Sequence, residues 1–307
     1  MKYIKSFNLF ESDNSDINGI NRVSKYFLMD PLKVNRTFKV EFLENPDQQL
    51  IKDLLEYGLV DKEQFERVKE YINMPDEDLK YLVFEEINEK QPNLDLLKDL
   101  LEYDLFDFYI TNDDLLNPLF YAIFQNQIEI VKLFLDYGAD IESTDYYDNT
   151  PLGFALLYGN TEIAEYLIKR HAELNITIFS EDSEWITPLI QSIIINSYEL
   201  VSLLLKKGVD YNQSDSENET PLHLAVKNNS EIITKLLIEY NAYTEGQDET
   251  LRTPLHWAVS LNNEIITKML LDAMANVNVK DRRGDFPWNL ASASMKKNLP
   301  QLKPTLE

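Results

Sequence analysis

Two kinds of short apolar segment take turns along most of this chain. One is opened by proline, as in PLHLAVK at 221–227, and the other starts with acidic or polar residues, as in EIITKLLIE at 231–239. In the second kind, Ile232, Ile233, Leu236 and Leu237 fall at i, i+3 and i+4 spacing, which predicts a helix with one buried stripe. The first kind begins Thr220-Pro221. A threonine hydroxyl caps a helix start, and proline fits the first helical position because its missing N–H would have no intrahelical partner there. Leu and Ala then recur on one side, so this segment also predicts a short helix. A polar break, Lys227-Asn228-Asn229, separates the two helices. Gly138 and Gly208 close the second helix in their copies, where a left-handed cap is needed.

The pattern repeats in register. Pro118, Pro151, Pro188, Pro221, Pro254 and Pro287 are spaced by 33, 37, 33, 33 and 33 residues. Thr precedes the proline at 150, 187, 220 and 253, with Asn at 117 and Phe at 286. Asp145, Asp182, Asp215, Asp248 and Asp281 keep step, each five residues before its Thr-Pro or Phe-Pro, and an Asp among polar residues opens a turn. The 37-residue spacing adds four residues to one turn, around ITIFSEDSEWI at 176–186.

A 33-residue turn–helix–turn–helix unit carrying T-P-L-H, best seen as TPLHLAV at 220–226 and TPLHWAV at 253–259, resembles the ankyrin-repeat family. The resemblance covers about residues 113–296. It implies an all-α ankyrin-repeat solenoid of stacked helix–turn–helix units. Weaker copies extend it upstream as degenerate helical units. LDLLKDLLEYDLFDF at 94–108 aligns without gaps to IEIVKLFLDYGADIE at 128–142, and IKDLLEYGLVD at 51–61 aligns to LKDLLEYDLFD at 97–107. LKYLVFEEIN at 79–88 supplies a first helix, and DKEQFERVKEYIN at 61–73 reads as an inserted one. The expected organisation is a cap or arm at 1–46, degenerate units at 47–112, and the repeat array with a C-terminal half-repeat cap at 113–307. A solenoid needs such a cap to cover its last apolar face.

Composition narrows the chemistry. With 53 acidic against 29 basic residues the chain carries a formal charge of −24, so a polyanion such as DNA or RNA is repelled and a basic protein surface is attracted. No cysteine is present, which removes disulfides, thiolate metal sites and thiol nucleophiles. No stretch reaches about eighteen uninterrupted apolar residues, so no membrane span is expected. The start, MKYIKSFNLFES, lacks the apolar run and small-residue cleavage site of a secretory leader. The expected location is cytoplasmic, or a host-cell interior if the source is a virus or intracellular bacterium.

Candidate catalytic groups are sparse. There are three histidines. His223 and His256 hold the fourth position of TPLH, where the resemblance implies a structural bond to neighbouring turn backbone. His171 stands where other units carry Gly or Asn at a helix end. The eight glycines form no phosphate-binding loop. No catalytic, cofactor or metal site is expected, and the chain is expected not to be an enzyme. The alternative is an effector whose activity lies in residues 1–112, with the repeats used for targeting.

The resemblance implies that partners are bound by turn tips and by the outward side of the first helices. At the tips stand Tyr146, Tyr147, Trp185, Ile186 and Leu251, with Arg282 and Arg283 on the last; at the outward helix positions stand Phe124, Leu157, Tyr158, Ile194, Ile195 and Leu261. Large apolar residues there form an expected interface for another protein, the alternatives being cover by residues 1–45 folding back or self-association. Around them lie Asp148, Glu181, Asp182, Glu184, Asp215, Glu217, Glu219, Asp248 and Glu249, so the expected partner has a hydrophobic ridge with basic edges. The expected role is an adaptor or inhibitor.

Overall fold

The computed structural model describes residues 60–72, 74–179 and 185–305, together with Lys52, Leu54 and Leu55. The expected cap or arm at 1–46 lies outside the described residues, as does most of the 51–61 segment. The chain divides into two compact units, Met1–Ala139 and Asp140–Glu307.

In the first unit, α1 (Lys62–Val68), α2 (Asp76–Asn88), α3 (Leu94–Glu102), α4 (Pro118–Phe124) and α5 (Ile128–Asp136) follow in order. Helices α4 and α5 pair as a hairpin, α2 packs on α4 and α3 packs on α5. Thus α2 and α3 take the places of a first and a second repeat helix without the TPLH signature. Asparagines supply the caps: Asn117 Oδ1 accepts from Phe120 N at 3.0 Å and Asn93 Oδ1 from Leu96 N at 3.0 Å. Helix α1 packs against α3, the place a preceding second helix takes elsewhere in the stack, so the segment read as an insert is part of the packing. Its polar face explains this. Buried Asp99 on α3 accepts from Gln64 Nε2 and from Arg67 Nε, each at 2.7 Å, which offsets the cost of a buried carboxylate.

The second unit carries the clear repeats. Its first helices are α6 (Pro151–Leu157), α8 (Pro188–Ile194), α10 (Pro221–Lys227), α12 (Pro254–Ser260) and α14 (Pro287–Leu290), each packed on the next. Its second helices are α7 (Thr161–Lys169), α9 (Tyr198–Lys207), α11 (Glu231–Glu239) and α13 (Glu264–Asp272), which form a parallel row. Equivalent residues make the core. Leu152, Leu189, Leu222 and Leu255 of the first row are essentially inaccessible, as are Leu167, Leu204, Leu237 and Leu270 of the second. Each such side chain contributes about 1.5–3 kcal/mol of burial.

Second helices end on a left-handed residue in every unit of this part: His171, Gly208, Asn241 and Met274 have φ of 68°, 83°, 60° and 64°. One feature departs from an all-α chain. The lengthened turn forms a two-stranded antiparallel hairpin, β1 (Ile178–Phe179) against β2 (Trp185–Ile186), with Ile178 opposite Ile186 and Phe179 opposite Trp185. After α14, α15 (Ala293–Asn298) and a 3-10 turn (Pro300–Leu302) bury Met295, Leu299 and Leu302.

Candidate functional site

Among the described residues, most fingers between repeats are shaped by one side chain. Asp145 Oδ1 accepts the backbone N–H of Tyr147 and of Asn149, both at 2.8 Å, while its own N–H reaches Asn149 O at 3.0 Å. Asp215, Asp248 and Asp281 repeat this with the amides two and four residues on. Asp182 lies outside the described residues. A further anchor escaped the sequence pattern: Asn112 Oδ1 accepts from Asp114 N at 3.1 Å and Leu116 N at 2.9 Å. It stands five residues before Asn117, in register, but asparagine replaces aspartate. In these five loops the fourth residue is left-handed, at Leu115, Asp148, Asn218, Leu251 and Gly284.

The histidines do the work expected of them. Both His223 and His256 are fully buried. His223 Nδ1 accepts from Thr220 N at 3.2 Å, so its proton sits on Nε2, which donates to Arg252 O of the next finger at 3.0 Å. His256 repeats this with Thr253 N at 3.1 Å and Asp285 O at 3.2 Å. Burial lowers the pKa of both imidazoles, against the bonds to carbonyls, which raise it. His171 is exposed and turns the end of α7. Among the described residues no group of three or more His, Asp or Glu is placed to hold a metal ion.

The apolar candidates divide into groups. Tyr146 and Tyr147, 77% and 58% exposed, meet edge-to-face at 5.4 Å on one finger tip. The next finger is tied to that one by Asn149, whose buried side-chain amide accepts from Phe179 N at 2.8 Å and donates to Phe179 O at 3.1 Å. Hairpin pleating then sends Ile178 and Ile186 inward and Phe179 and Trp185 outward. Ile186, expected on the binding surface, is therefore corrected: it is 8% exposed and belongs to the core. Phe179, which the sequence pattern passed over, joins Trp185 at 42% exposure. The signal was the mirrored pair Ile178-Phe179 and Trp185-Ile186 within the lengthened turn.

Tyr158 and Ile194, 52% and 47% exposed, end the neighbouring helices α6 and α8, with Leu157 and Ile195 half-buried beside them. Gln191 Nε2 donates to Leu156 O at 3.2 Å and Asn228 Nδ2 to Ile193 O at 2.9 Å, fixing both helix ends. Leu251 and Leu261 are exposed on the α12 unit, separated from Ile194 by the α10 unit, whose matching positions are polar: Asn218 at the tip and Lys227-Asn228 on the helix. Phe124 belongs to the first unit, where it is exposed and stacks on Tyr121 at 6.3 Å.

The acidic rim is thinner than the sequence suggests. Asp148, Glu217 and Glu249 are exposed, whereas Glu181, Asp182 and Glu184 lie outside the described residues. Asp215 and Asp248 spend their oxygens on loop amides, and Glu219 is buried against Lys227. Burial raises the Glu219 pKa, and its ion pair works the other way. Asp248 is pulled below its ordinary value despite burial, by Thr250, Arg252 and the Trp257 indole at 2.7 Å. Lys227 and Arg252 both lie 5.0 Å from the Trp257 ring, and Arg252 also reaches Asp281. These two units thus present a locked polar network where their predecessors present apolar side chains.

Comparison with known proteins gives the same architecture. A family description, "Ankyrin repeats (3 copies)", matches residues 86–178 and 181–281. An ankyrin repeat protein of Acanthamoeba polyphaga mimivirus is 41% identical over 54 residues, covering 18% of this chain and 7% of that protein, so the chain spans a small part of that relative. Among solved structures, the ankyrin repeat domain of Bcl-3, a member of the IkappaB protein family, superposes with a TM-score of 0.58 at 21% identity, over 71% of this chain and 97% of that one. A chain from the complex of a predatory endopeptidase of Bdellovibrio bacteriovorus with an immunity protein superposes with a TM-score of 0.53 at 22% identity, over 62% and 96%. At these identities the structural likeness concerns the fold alone.

Proposed function

The chain belongs to the ankyrin-repeat family, and from that premise we propose that it is a binding protein, an adaptor or inhibitor, that grips one partner protein through the fingers and first helices around α6 and α8. The observation that carries this reading is the exposed aromatic set Tyr146, Tyr147, Phe179, Trp185 and Tyr158, with Ile194 beside it, on helix ends and finger tips held rigid by hydrogen bonds. Tyrosine and tryptophan are the side chains that most often dominate binding energy, and a surface ordered beforehand loses little entropy on docking. The exposed Asp148 and Glu217, within a chain of charge −24, favour a partner with basic edges around an apolar ridge. The repeats supply a scaffold, and the ligand is chosen by what they display.

The test compares wild type with a Tyr146→Ser, Trp185→Ser, Ile194→Ser variant in affinity purification from the native source, scored by mass spectrometry. The expected result is loss of a specific co-purifying protein with an unchanged melting temperature. A large drop in melting temperature of the monomer would show instead that this surface is covered within the chain.

A further inference from the structure

The C-terminal end of this acidic chain is basic. Residues 280–303 hold six Lys or Arg and two Asp, a net charge of +4 where the whole chain carries −24. One of the two acids, Asp281, is buried and committed to loop amides and to Arg252. The other is Asp285. Elsewhere in the described part many cations sit in ion pairs, among them Arg67, Lys132, Lys169, Lys227 and Arg252, while Lys206 and Lys207 do not. Among the described residues no ion pair closes on Lys280, Arg282, Arg283, Lys296, Lys297 or Lys303.

The fold places five of these six on the last finger, around the start of α14 or beside the closing Asn278–Thr305 contact, and Lys297 follows Lys296 on α15. Arg282 and Arg283 form the exposed tip of the last finger, whose backbone is held by Arg282 N donating to Thr250 O at 2.9 Å. Lys280 Nζ lies 5.0 Å from the Phe286 ring and Lys296 Nζ 5.4 Å from the Trp288 ring, and these rings flank Pro287 at the start of α14. Asn278 and Thr305 exchange two hydrogen bonds of 3.0 and 2.9 Å, which brings Lys303 to the same end as Lys280. Trp288 stands where Leu222 and Leu255 are fully buried by the next unit. It is partly exposed, an aromatic surface among cations.

We infer that this end is a second interaction surface, separate from the apolar fingers, and that it takes an acidic segment of a protein. Charge complementarity selects an anion. The field of the remaining chain selects a short one, because a long polyanion tracking along the repeats would run against Glu249, Glu217 and the rest of the acidic surface, where it is repelled. Carboxylates suit the exposed Arg282 and Arg283 guanidinium groups, which offer paired donors.

The test uses the full chain and fluorescein-labelled decaglutamate, followed by fluorescence anisotropy at about 50 mM and about 300 mM salt. Saturable binding is expected at the lower salt, weakened at the higher. Arg282→Glu with Arg283→Glu should weaken it by about tenfold or more, while Lys206→Glu with Lys207→Glu, at the exposed end of α9, should leave it within about twofold. Tyr146→Ser with Trp185→Ser should leave it unchanged, which separates this surface from the proposed docking site. Should either charge-reversed variant melt early, Gln replaces Glu at the same positions. Absence of saturable binding, equal losses in the two charge-reversed variants, or tighter binding of an oligothymidylate of equal charge would overturn the inference. So would light scattering showing that this end pairs two copies of the chain.

Discussion

Replacing His223 with leucine tests the repeat's internal logic, because the imidazole closes a unit and joins it to the next in one step. Leucine keeps most of the volume, so the expected loss comes from hydrogen bonds. The Thr220 N–H loses its acceptor at 3.2 Å and the Arg252 carbonyl loses its donor at 3.0 Å, both at a fully buried side chain. A buried polar group left unpaired costs about 1–3 kcal/mol, so the two together set an expected loss of about 3 kcal/mol. Urea unfolding followed by circular dichroism at pH 7.5 would read it. The pH profile gives an independent check. Burial places the folded pKa below the unfolded value of 6.5, so the unfolded chain takes up a proton first as pH falls. The histidine's contribution is fully present above 6.5 and is lost as pH falls from there toward the folded pKa. The slope reaches about 1.4 kcal/mol per pH unit for each such histidine. Wild type, with His223 and His256 both depressed, should show about twice the histidine-linked slope of His223→Leu. A loss below about 1 kcal/mol, or an unchanged slope, would refute the assignment of a neutral bridging imidazole.

Further outcomes follow from single contacts. A Cβ at Gly246 would meet Thr220 Cγ2 at 2.9 Å and His223 Cε1 at 3.3 Å, so Gly246→Ala should cost about 1–3 kcal/mol in thermal melting, and a neutral result would contradict that close approach. Leu251 is held at φ 61°, where its counterparts are Asn218 and Gly284, so Leu251→Asn should raise the urea midpoint by relieving up to about 1 kcal/mol of backbone strain. A lower midpoint would mean the exposed leucine packs against something. Asn149→Ala removes both bonds to Phe179, so the Phe179 amide should exchange with deuterium faster while amides of α10 and α12 keep their protection. Asp248 is held below its ordinary value of 3.8, so its stabilisation is present above that pH and lost as pH falls through the folded pKa; Asp248→Asn should flatten that part of the acid-unfolding curve.

The fold was legible wherever one residue type carries one backbone task. Thr-Pro marks the first helices α6, α8, α10 and α12 because cap and first turn need those residues, and each proline of the series opens its predicted helix. The anchor at Asn112 was harder, since a side-chain amide oxygen accepts the same two bonds as a carboxylate and breaks the Asp pattern. Helix α1 was expected as a helix, but its packing place was not legible. Its place depends on Gln64 and Arg67 reaching Asp99 more than thirty residues away, a contact that local periodicity does not encode. The site was legible in part. Tips and helix ends could be named from register, but burial at a tip depends on finger geometry. The two-residue pleat decides that Phe179 and Trp185 face out while Ile186 faces in. Likewise the acids at 219 and 248 read as surface charge, although the fold turns them toward Lys227 and Trp257.

The central claim is that the aromatic fingers hold a partner protein, and site-specific photo-crosslinking tests it most directly. A benzophenone amino acid placed at Tyr147 would be activated in the native source, with Tyr243, an exposed tyrosine elsewhere on the same unit, as the control position. The account predicts one discrete protein adduct from position 147, none of the same mass from 243, and its disappearance when Trp185→Ser and Ile194→Ser are added to the same chain. The same adduct from both positions, or one that survives those substitutions, would contradict it.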